Sequence, residues 1–149
     1  MKLLKWLSVA DRFAKACLDE KLAPYGINSS QHMYLLKVCR EPGITQESLL
    51  ETFYVHPSNV VRMISALERK GFLRREPCHR DKRTWRLYPT QKALDVAPQV
   101  RQACRETEDC LLEEFTGEEA ALLERLLFQA GRHMAREMNI TRKEDEFDE

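Results

Sequence analysis

The sequence predicts a mainly α-helical fold with one small β-hairpin. Apolar side chains recur at helical spacing in both terminal parts of the chain. Between them, residues 57–70 have a helical pattern that Gly71 ends, and residues 72–75 and 84–88 have the composition of strands. A helix, a strand, a charged turn and a second strand, in this order, are typical of a DNA-reading helix followed by a β-wing.

Length and composition favour one domain. The chain has 149 residues, 43% of them hydrophobic, which is enough for one core. We expect a single domain with a helix-turn-helix and wing over about 28–90, flanking helices over 1–22 and 91–138, and a flexible acidic tail over 139–149. No apolar run reaches the length of about 18 residues that a membrane helix needs, and no export cleavage site is recognisable, so a cytoplasmic protein is expected.

The charge is strongly polarised along the chain. Residues 54–92 contain ten Lys or Arg and three Asp or Glu, which gives +7 in a chain whose formal net charge is zero. Residues 106–149 contain 14 acids and five bases, which gives −9. A concentration of cations in the middle of the chain indicates a polyanionic partner, with double-stranded DNA as the first candidate.

The first two helices have recognisable start and stop signals. Apolar residues on one face predict a helix over 3–22, which the turn at 24–26 ends. Asn28 followed by Gln31 is a capping-box pattern and predicts the start of a second helix that runs to about Cys39.

A short helix, a turn and a longer helix follow. Thr45 is expected to cap a helix over 46–53, and residues 54–56 form a turn. Pro57 suits the first turn of the next helix, where its missing N–H costs nothing, and this helix runs to about Lys70. Its core-facing positions are Val60, Ile64 and Leu67.

The outer face of the longer helix carries the candidates for reading bases. In a helix-turn-helix, the N-terminal residues of the second helix lie nearest the base edges. Val61 can touch a thymine methyl group, and Arg62 can bridge the two acceptors of a guanine. Arginine on a helix is equally common on a merely solvated face, so this helix alone does not show that the chain binds DNA. The candidates are Ser58, Asn59, Val61, Arg62 and Ser65.

The hairpin carries a second group of candidates. Its tip, residues 79–83, has three cations and one acid. Asp81 is expected to bond a nearby arginine and order the loop, which leaves another arginine for the minor groove. A hairpin with solubilising charges is the alternative, but it does not explain why hairpin and helix have the same sign. The candidates are Arg74, Arg75, Arg80, Asp81, Lys82 and Arg83, with Arg74, Arg75 and Lys82 placed along the phosphates.

Two long helices complete the chain. Thr90 is expected to cap one that runs to about Phe115, and Thr116 with Glu119 forms a capping box for the last. The first would extend roughly 35–40 Å, more than one small domain covers. The wide apolar face of the last helix favours a homodimer, although both helices closing a larger monomeric core is an alternative.

Residues 62–75, followed by Asp81-Lys-Arg83 and Pro89-Thr90, resemble the MarR family of bacterial transcription regulators. The resemblance in helix order and spacing extends over about 3–138. It implies a winged helix-turn-helix with N- and C-terminal dimerisation helices. It also implies a homodimer that binds a pseudo-palindromic operator, mostly as a repressor, and that releases DNA when a small, often phenolic, ligand binds.

The resemblance assigns roles to particular residues. The family's wing Asp and Arg correspond to Asp81 and Arg83, and its recognition-helix Arg corresponds to Arg62. The family usually ends the second wing strand with Leu-Thr and has Gly three residues later, whereas this chain has Pro89-Thr90 and Ala93. These departures concern the start of the long helix and not the DNA contacts.

An effector pocket is expected where the dimer helices meet the DNA-binding lobe, because crevices between helices are common ligand sites. The candidates for binding a small aromatic effector are Trp6, Phe13, His32, Met33 and Tyr34. A plain core position is the alternative for each, and the more common role of such side chains.

The five cysteines indicate reduced thiols, since they are odd in number and lack CxxC spacing. Peroxide-sensing relatives have a reactive cysteine near the start of the first helix, whereas Cys17 lies deep in that helix, so the resemblance does not imply thiol sensing. Cys78 stands next to His79 and Arg80 at the base of the wing, where positive neighbours lower a thiol pKa, and is the remaining redox candidate.

No motif indicates an enzyme, a metal site or a cofactor. The four histidines are scattered, and no Gly-rich phosphate loop, GxSxG or HExxH occurs. The other alternative is a protein-interaction module, such as an anti-activator, that uses the winged fold without binding DNA. Salt distinguishes the two, because DNA binding through several cations weakens steeply as salt rises.

Overall fold

The computed structural model describes residues 1–80 and 83–138. The expectations for Asp81, Lys82 and the acidic tail over 139–149 lie outside these residues. The elements are α1 (Leu3–Leu22), α2 (His32–Arg40), β1 (Ile44–Thr45), α3 (Gln46–Phe53), α4 (Pro57–Arg69), β2 (Leu73–Pro77), β3 (Trp85–Pro89), α5 (Gln91–Leu112) and α6 (Gly117–Glu137), with a 3-10 turn at Ala23–Tyr25 after α1. The prediction of a mainly helical winged fold is confirmed.

The observed elements follow the predicted order and differ in extent. Strand β2 extends to Pro77, two residues further than predicted, because Pro77 still pairs with Trp85. Helix α5 ends at Leu112 and not near Phe115, whose N–H donates to the Leu112 carbonyl at 2.9 Å and closes a turn. Strand β1 was not predicted, because two residues are too few to show a period.

The helix caps depend on local and distant partners. The predicted caps Thr45, Thr90 and Thr116 are confirmed, and Thr116 forms the full capping box with Glu119. The capping box predicted for α2 was wrong.

The failed α2 cap has a physical reason. Asn28 Oδ1 does accept hydrogen bonds from the Ser30 and Gln31 N–H groups, but the helix begins later, at His32. The Gln31 side chain does not return to Asn28, because its Oε1 accepts a charge-assisted bond from Lys70 Nζ at 3.0 Å.

The sheet is antiparallel with the order β1-β3-β2. Leu87 in the central strand pairs with Ile44 on one side and Arg75 on the other, and it is fully buried. Because Thr45 both ends β1 and caps α3, the wing is joined directly to the helix-turn-helix.

The core lies between the C-terminal end of α1, helices α2 to α5 and the sheet. The predicted stripe on α4, Val60, Ile64 and Leu67, is fully buried. Burying a side chain of this kind contributes about 1.5–3 kcal/mol, so these three residues hold α4 firmly against the core. Their burial turns the opposite face of α4 toward solvent.

The N-terminal part of α1 and the whole of α6 lie outside this core. In the described part of the chain, α6 has no buried residue. Large apolar side chains on both helices are exposed, among them Leu3, Leu4, Trp6, Leu7, Phe13, Leu122, Leu126, Leu127 and Met134. The chain therefore leaves many large apolar side chains uncovered on these two helices.

Candidate nucleic-acid interface

The turn between α3 and α4 is formed by a left-handed residue and a histidine cap. Tyr54 has a φ of 52°, which is uncommon for a bulky residue, and it ends α3. His56 Nδ1 accepts a hydrogen bond from the Ser58 N–H at 3.2 Å, and Pro57 takes the first helical position. These three residues set the point at which α4 begins.

The predicted base-reading residues lie on the outer side of α4. Ser58, Val61 and Arg62 are exposed, and Ser65 is half-buried one turn further on. Their spacing of three or four residues places them on one helical face, opposite the buried stripe. Asn59 flanks this face and is half-buried, and its Oδ1 accepts a hydrogen bond from Arg62 Nη2 at 2.7 Å.

Arg75 has a structural contact that the sequence did not reveal. Its Nε and Nη2 donate to the two carboxylate oxygens of Glu68 at 2.7 and 3.1 Å. The guanidinium also lies over the Trp85 ring, 5.4 Å from its centroid. Arg75 therefore ties β2 to the C-terminal part of α4 and to β3.

Arg74 has a weaker set of partners on the same strand. It pairs with Glu76 and lies 4.7 Å from the centroid of the Tyr88 ring. Both side chains of the ion pair are half exposed, so solvent screens the attraction. Contact of Arg74 and Arg75 with phosphates stays a prediction.

Other cations of the basic segment bind backbone carbonyls. Lys70 Nζ donates to the Gly26 carbonyl at 2.8 Å, and Lys92 Nζ donates to the Lys70 carbonyl at 2.6 Å. Arg86 Nη1 donates to the Gly43 carbonyl at 2.9 Å. Part of the +7 charge thus stabilises the end of α4 and two turns.

The wing tip is only partly described. Arg80 and Arg83 are exposed, and the Cys78 N–H donates to the Thr84 carbonyl at 2.8 Å at the base of the tip. Asp81 and Lys82, predicted for the same loop, lie outside the described residues.

A cavity of about 160 Å³ lies between α3, the start of α4 and the wing. It is lined by Gln46, Leu50, Val61, Arg83 and Trp85, among others. In the described structure, Gln46 Oε1 is buried without a hydrogen-bond partner. No local sequence pattern predicts this cavity, because its residues come from three separate elements.

The effector candidates are dispersed over the structure of the chain. Trp6 and Phe13 are exposed at 59% and 62% and Met33 at 37%, whereas Tyr34 is buried and stacks edge-on against Phe53, with 5.1 Å between centroids. His32 is half-buried, and none of the five lines the cavity beside the wing.

Burial and one hydrogen bond favour a particular neutral form of His32. Burial lowers the pKa of its imidazole, against the opposing effects of the Ser29 carbonyl and of the Asp19 and Glu108 charges. Its Nδ1 lies 2.7 Å from the Ser29 carbonyl oxygen, which can only accept, so Nδ1 carries the proton and Nε2 of the neutral ring is an acceptor.

None of the five cysteines, all of which lie in the described ranges, forms a disulfide. Burial raises the pKa of Cys39 and Cys104, which disfavours the reactive thiolate, and Cys78 is buried. In residues 1–80 and 83–138, no group of His, Cys, Asp or Glu is arranged to hold a metal ion. Within the same ranges, no helix is long and apolar enough to span a membrane.

The exposed face of α4 beside a basic β-wing is characteristic of winged helix-turn-helix proteins, and it places the chain in this class. The family model of the MarR family matches residues 27–85. The chain is 30% identical over 117 residues to the uncharacterized HTH-type transcriptional regulator YybA of Bacillus subtilis (strain 168), with 78% of each protein covered. The chain belongs to the MarR family and is a transcriptional regulator, not an enzyme.

Solved structures agree with this assignment. A cysteine-to-serine mutant of MarR from E. coli, complexed with operator DNA, has a TM-score of 0.80 at 25% identity, covering 87% of this chain and 94% of that one. A MarR family regulator from Listeria monocytogenes, complexed with 26mer DNA, has the same fold with a TM-score of 0.82 at 21% identity, covering 96% and 97%.

Proposed function

We propose that this regulator binds a pseudo-palindromic operator as a homodimer in the cytoplasm and acts mainly as a repressor. The observation that carries the proposal is the exposed face of α4, with Arg62 at its N-terminal end, next to a basic wing. This face fits the major groove, and a wing arginine such as Arg83 fits the adjacent minor groove. The DNA complexes of the E. coli and Listeria relatives support it.

The homodimer is proposed from the uncovered apolar surface. Leu122, Leu126 and Met134 on α6 are exposed at 45% to 56%, and Leu3 and Leu7 at the start of α1 are exposed as well. The three α6 residues are spaced by four and eight positions and share one helix face, and an exposed apolar face of this kind marks an association surface. Two-fold pairing through α1, α5 and α6 would place two α4 helices about 34–36 Å apart, one turn of DNA.

We also propose that a small aromatic, often phenolic, effector releases the DNA. The candidates remain Trp6, Phe13, His32, Met33 and Tyr34, where the dimer helices meet the DNA-binding lobe. His32 supports this chemistry, because Nε2 of its neutral ring is an acceptor to which a phenolic hydroxyl can donate. Titration of the protein–DNA complex with phenolic compounds tests it, and His32→Phe is expected to weaken the response.

The test of DNA binding uses fluorescence anisotropy with the DNA upstream of the protein's own gene. Arg83→Ala is expected to weaken binding to all DNA and to reduce the salt slope by about one, whereas Arg62→Ala mainly relaxes sequence preference. Arg105→Ala removes one cation from α5, outside the basic segment, and is the control.

Normal binding of operator DNA by the Arg62→Ala/Arg83→Ala double variant would contradict the proposal. If DNA binding by the wild-type protein did not weaken as the salt concentration rises, a protein-interaction module would be favoured instead.

A further inference from the structure

Asn59 and Arg62 form a hydrogen-bonded pair near the start of α4. Arg62 Nη2 donates to Asn59 Oδ1 at 2.7 Å. Residues three apart are neighbours on a helix surface, and both lie in the first two turns of a helix that begins at Pro57. This is the end of α4 that lies nearest the base edges in a helix-turn-helix complex.

The guanidinium determines which way the Asn59 amide faces. A guanidinium has only donors, so the amide must turn its oxygen toward Arg62 and its NH₂ group away. Asparagine reads adenine with both ends of the amide, since the NH₂ donates to N7 and the oxygen accepts from N6. Arg62 occupies one of the two lone pairs of the Asn59 oxygen, which makes that oxygen a weaker acceptor for adenine N6, while both donor hydrogens of the amide stay available for a base. These match guanine N7 or O6, or thymine O4.

Arg62 keeps its own capacity to read a base. A guanidinium has five N–H donors, and the contact with Asn59 uses one, so enough remain to bond both O6 and N7 of a guanine. The contact also restrains a long side chain before DNA arrives. Less rotamer freedom is then lost on binding, which favours a specific contact.

We propose that Asn59 and Arg62 read DNA as one coupled unit, in which Arg62 binds a guanine and Asn59 donates to an adjacent guanine or thymine in preference to adenine. The inference rests on the proposed function. Asn59 is then a positioning residue for Arg62 and also determines specificity at the neighbouring base. Neither role follows from treating the two side chains as separate contacts.

Selection from a randomised duplex DNA library, followed by sequencing of the bound DNA, tests the coupling with the full-length protein. Asn59→Ala removes both ends of the amide, whereas Asn59→Asp keeps an acceptor for Arg62 and loses the donor. Arg69→Ala removes the same charge as Arg62→Ala at the far end of α4 and is the matched control. Circular dichroism confirms that each variant is folded.

The wild type is expected to enrich a guanine next to a guanine or thymine. Asn59→Ala should lower the preference at both positions, by about fivefold or more at the guanine, given that one bidentate contact discriminates by roughly 5- to 150-fold. Asn59→Asp should keep the guanine preference within about twofold and lose that of its neighbour. Arg69→Ala should leave the motif unchanged.

Two results would overturn the coupling while leaving the proposed function intact. One is an enriched adenine that Asn59→Ala abolishes without affecting the adjacent guanine, because the two residues would then act independently. The other is an unchanged motif in Asn59→Ala. A wild-type protein that enriches no sequence would overturn the proposed function and the coupling together.

Discussion

Replacing Arg75 by alanine is expected to destabilise the protein by about 1.5–2.5 kcal/mol. The guanidinium makes two charge-assisted hydrogen bonds to Glu68, at 2.7 and 3.1 Å, and lies over Trp85. It thereby joins the end of α4 to both strands of the wing. The loss is expected in the free protein, before any DNA is bound.

The magnitude follows from the geometry of the contact. The two side chains are 31% and 36% exposed, so the pair lies between a surface ion pair, worth about 0.2–1 kcal/mol, and a buried one. Bidentate geometry raises our expectation to about 1–1.5 kcal/mol for the pair. The cation–π contact with Trp85 adds about 0.5–1 kcal/mol.

A double-mutant cycle with Glu68→Ala, measured by urea unfolding, isolates the pair. The protein concentration is held constant, because association contributes to the apparent stability of an oligomer. The Arg74–Glu76 pair on the same strand is the matched control. Its side chains are 53% and 50% exposed, so its coupling energy should be below about 0.5 kcal/mol.

Equal coupling energies for the two pairs would refute the reasoning. So would an Arg75→Ala protein of unchanged stability whose DNA binding loses salt dependence, because Arg75 would then contact phosphate, as the sequence suggested, and not brace the wing.

Three further outcomes are expected. Burial lowers the pKa of His32 below its usual 6.5, so the unfolded chain takes up this proton first. The free energy of unfolding at pH values above 6.5 should therefore decline as the pH falls toward the lowered pKa of the folded protein, by at most about 1.4 kcal/mol per pH unit. Urea unfolding at several pH values measures this decline, which should be shallower for His32→Gln. Thr90→Ala should cost about 1–2 kcal/mol in thermal unfolding, because Thr90 Oγ1 caps α5 at Ala93 and donates to the Gly71 carbonyl at 2.6 Å. Leu126→Glu should halve the mass observed by sedimentation velocity, and a variant that stays dimeric would exclude this face of α6 from the interface.

Local signals in the sequence were sufficient for most of the fold. Thr45, Thr90 and Thr116 each cap a helix through atoms three residues away, so a short window contains the whole interaction. The α2 capping box failed for the opposite reason: the partner of Gln31 is Lys70, 39 residues along the chain. Such a contact exists only once the fold has formed.

In the candidate site too, local features were predictable from the sequence and contacts between distant residues were not. The outer face of α4 was predictable, because helical spacing alone places Arg62 opposite the buried Val60 and Ile64. The partners of the individual cations were not. Arg75 and Glu68 lie on either side of the glycine that ends α4, and Trp85 reaches Arg75 only through strand pairing. The net charge of a segment does not show whether an arginine forms an internal ion pair or contacts DNA.

The position of β3 between β1 and β2 limits how this protein can adapt to its DNA. A hairpin paired on one side could swing about its root, whereas this one is held by Ile44 and Thr45, immediately before α3. Helix α4 and the wing should consequently move together as one rigid unit. In the proposed dimer, the distance between the two α4–wing units would then change only through movement of the long helices α1, α5 and α6. Tolerance for operators with different half-site spacing would depend on these helices.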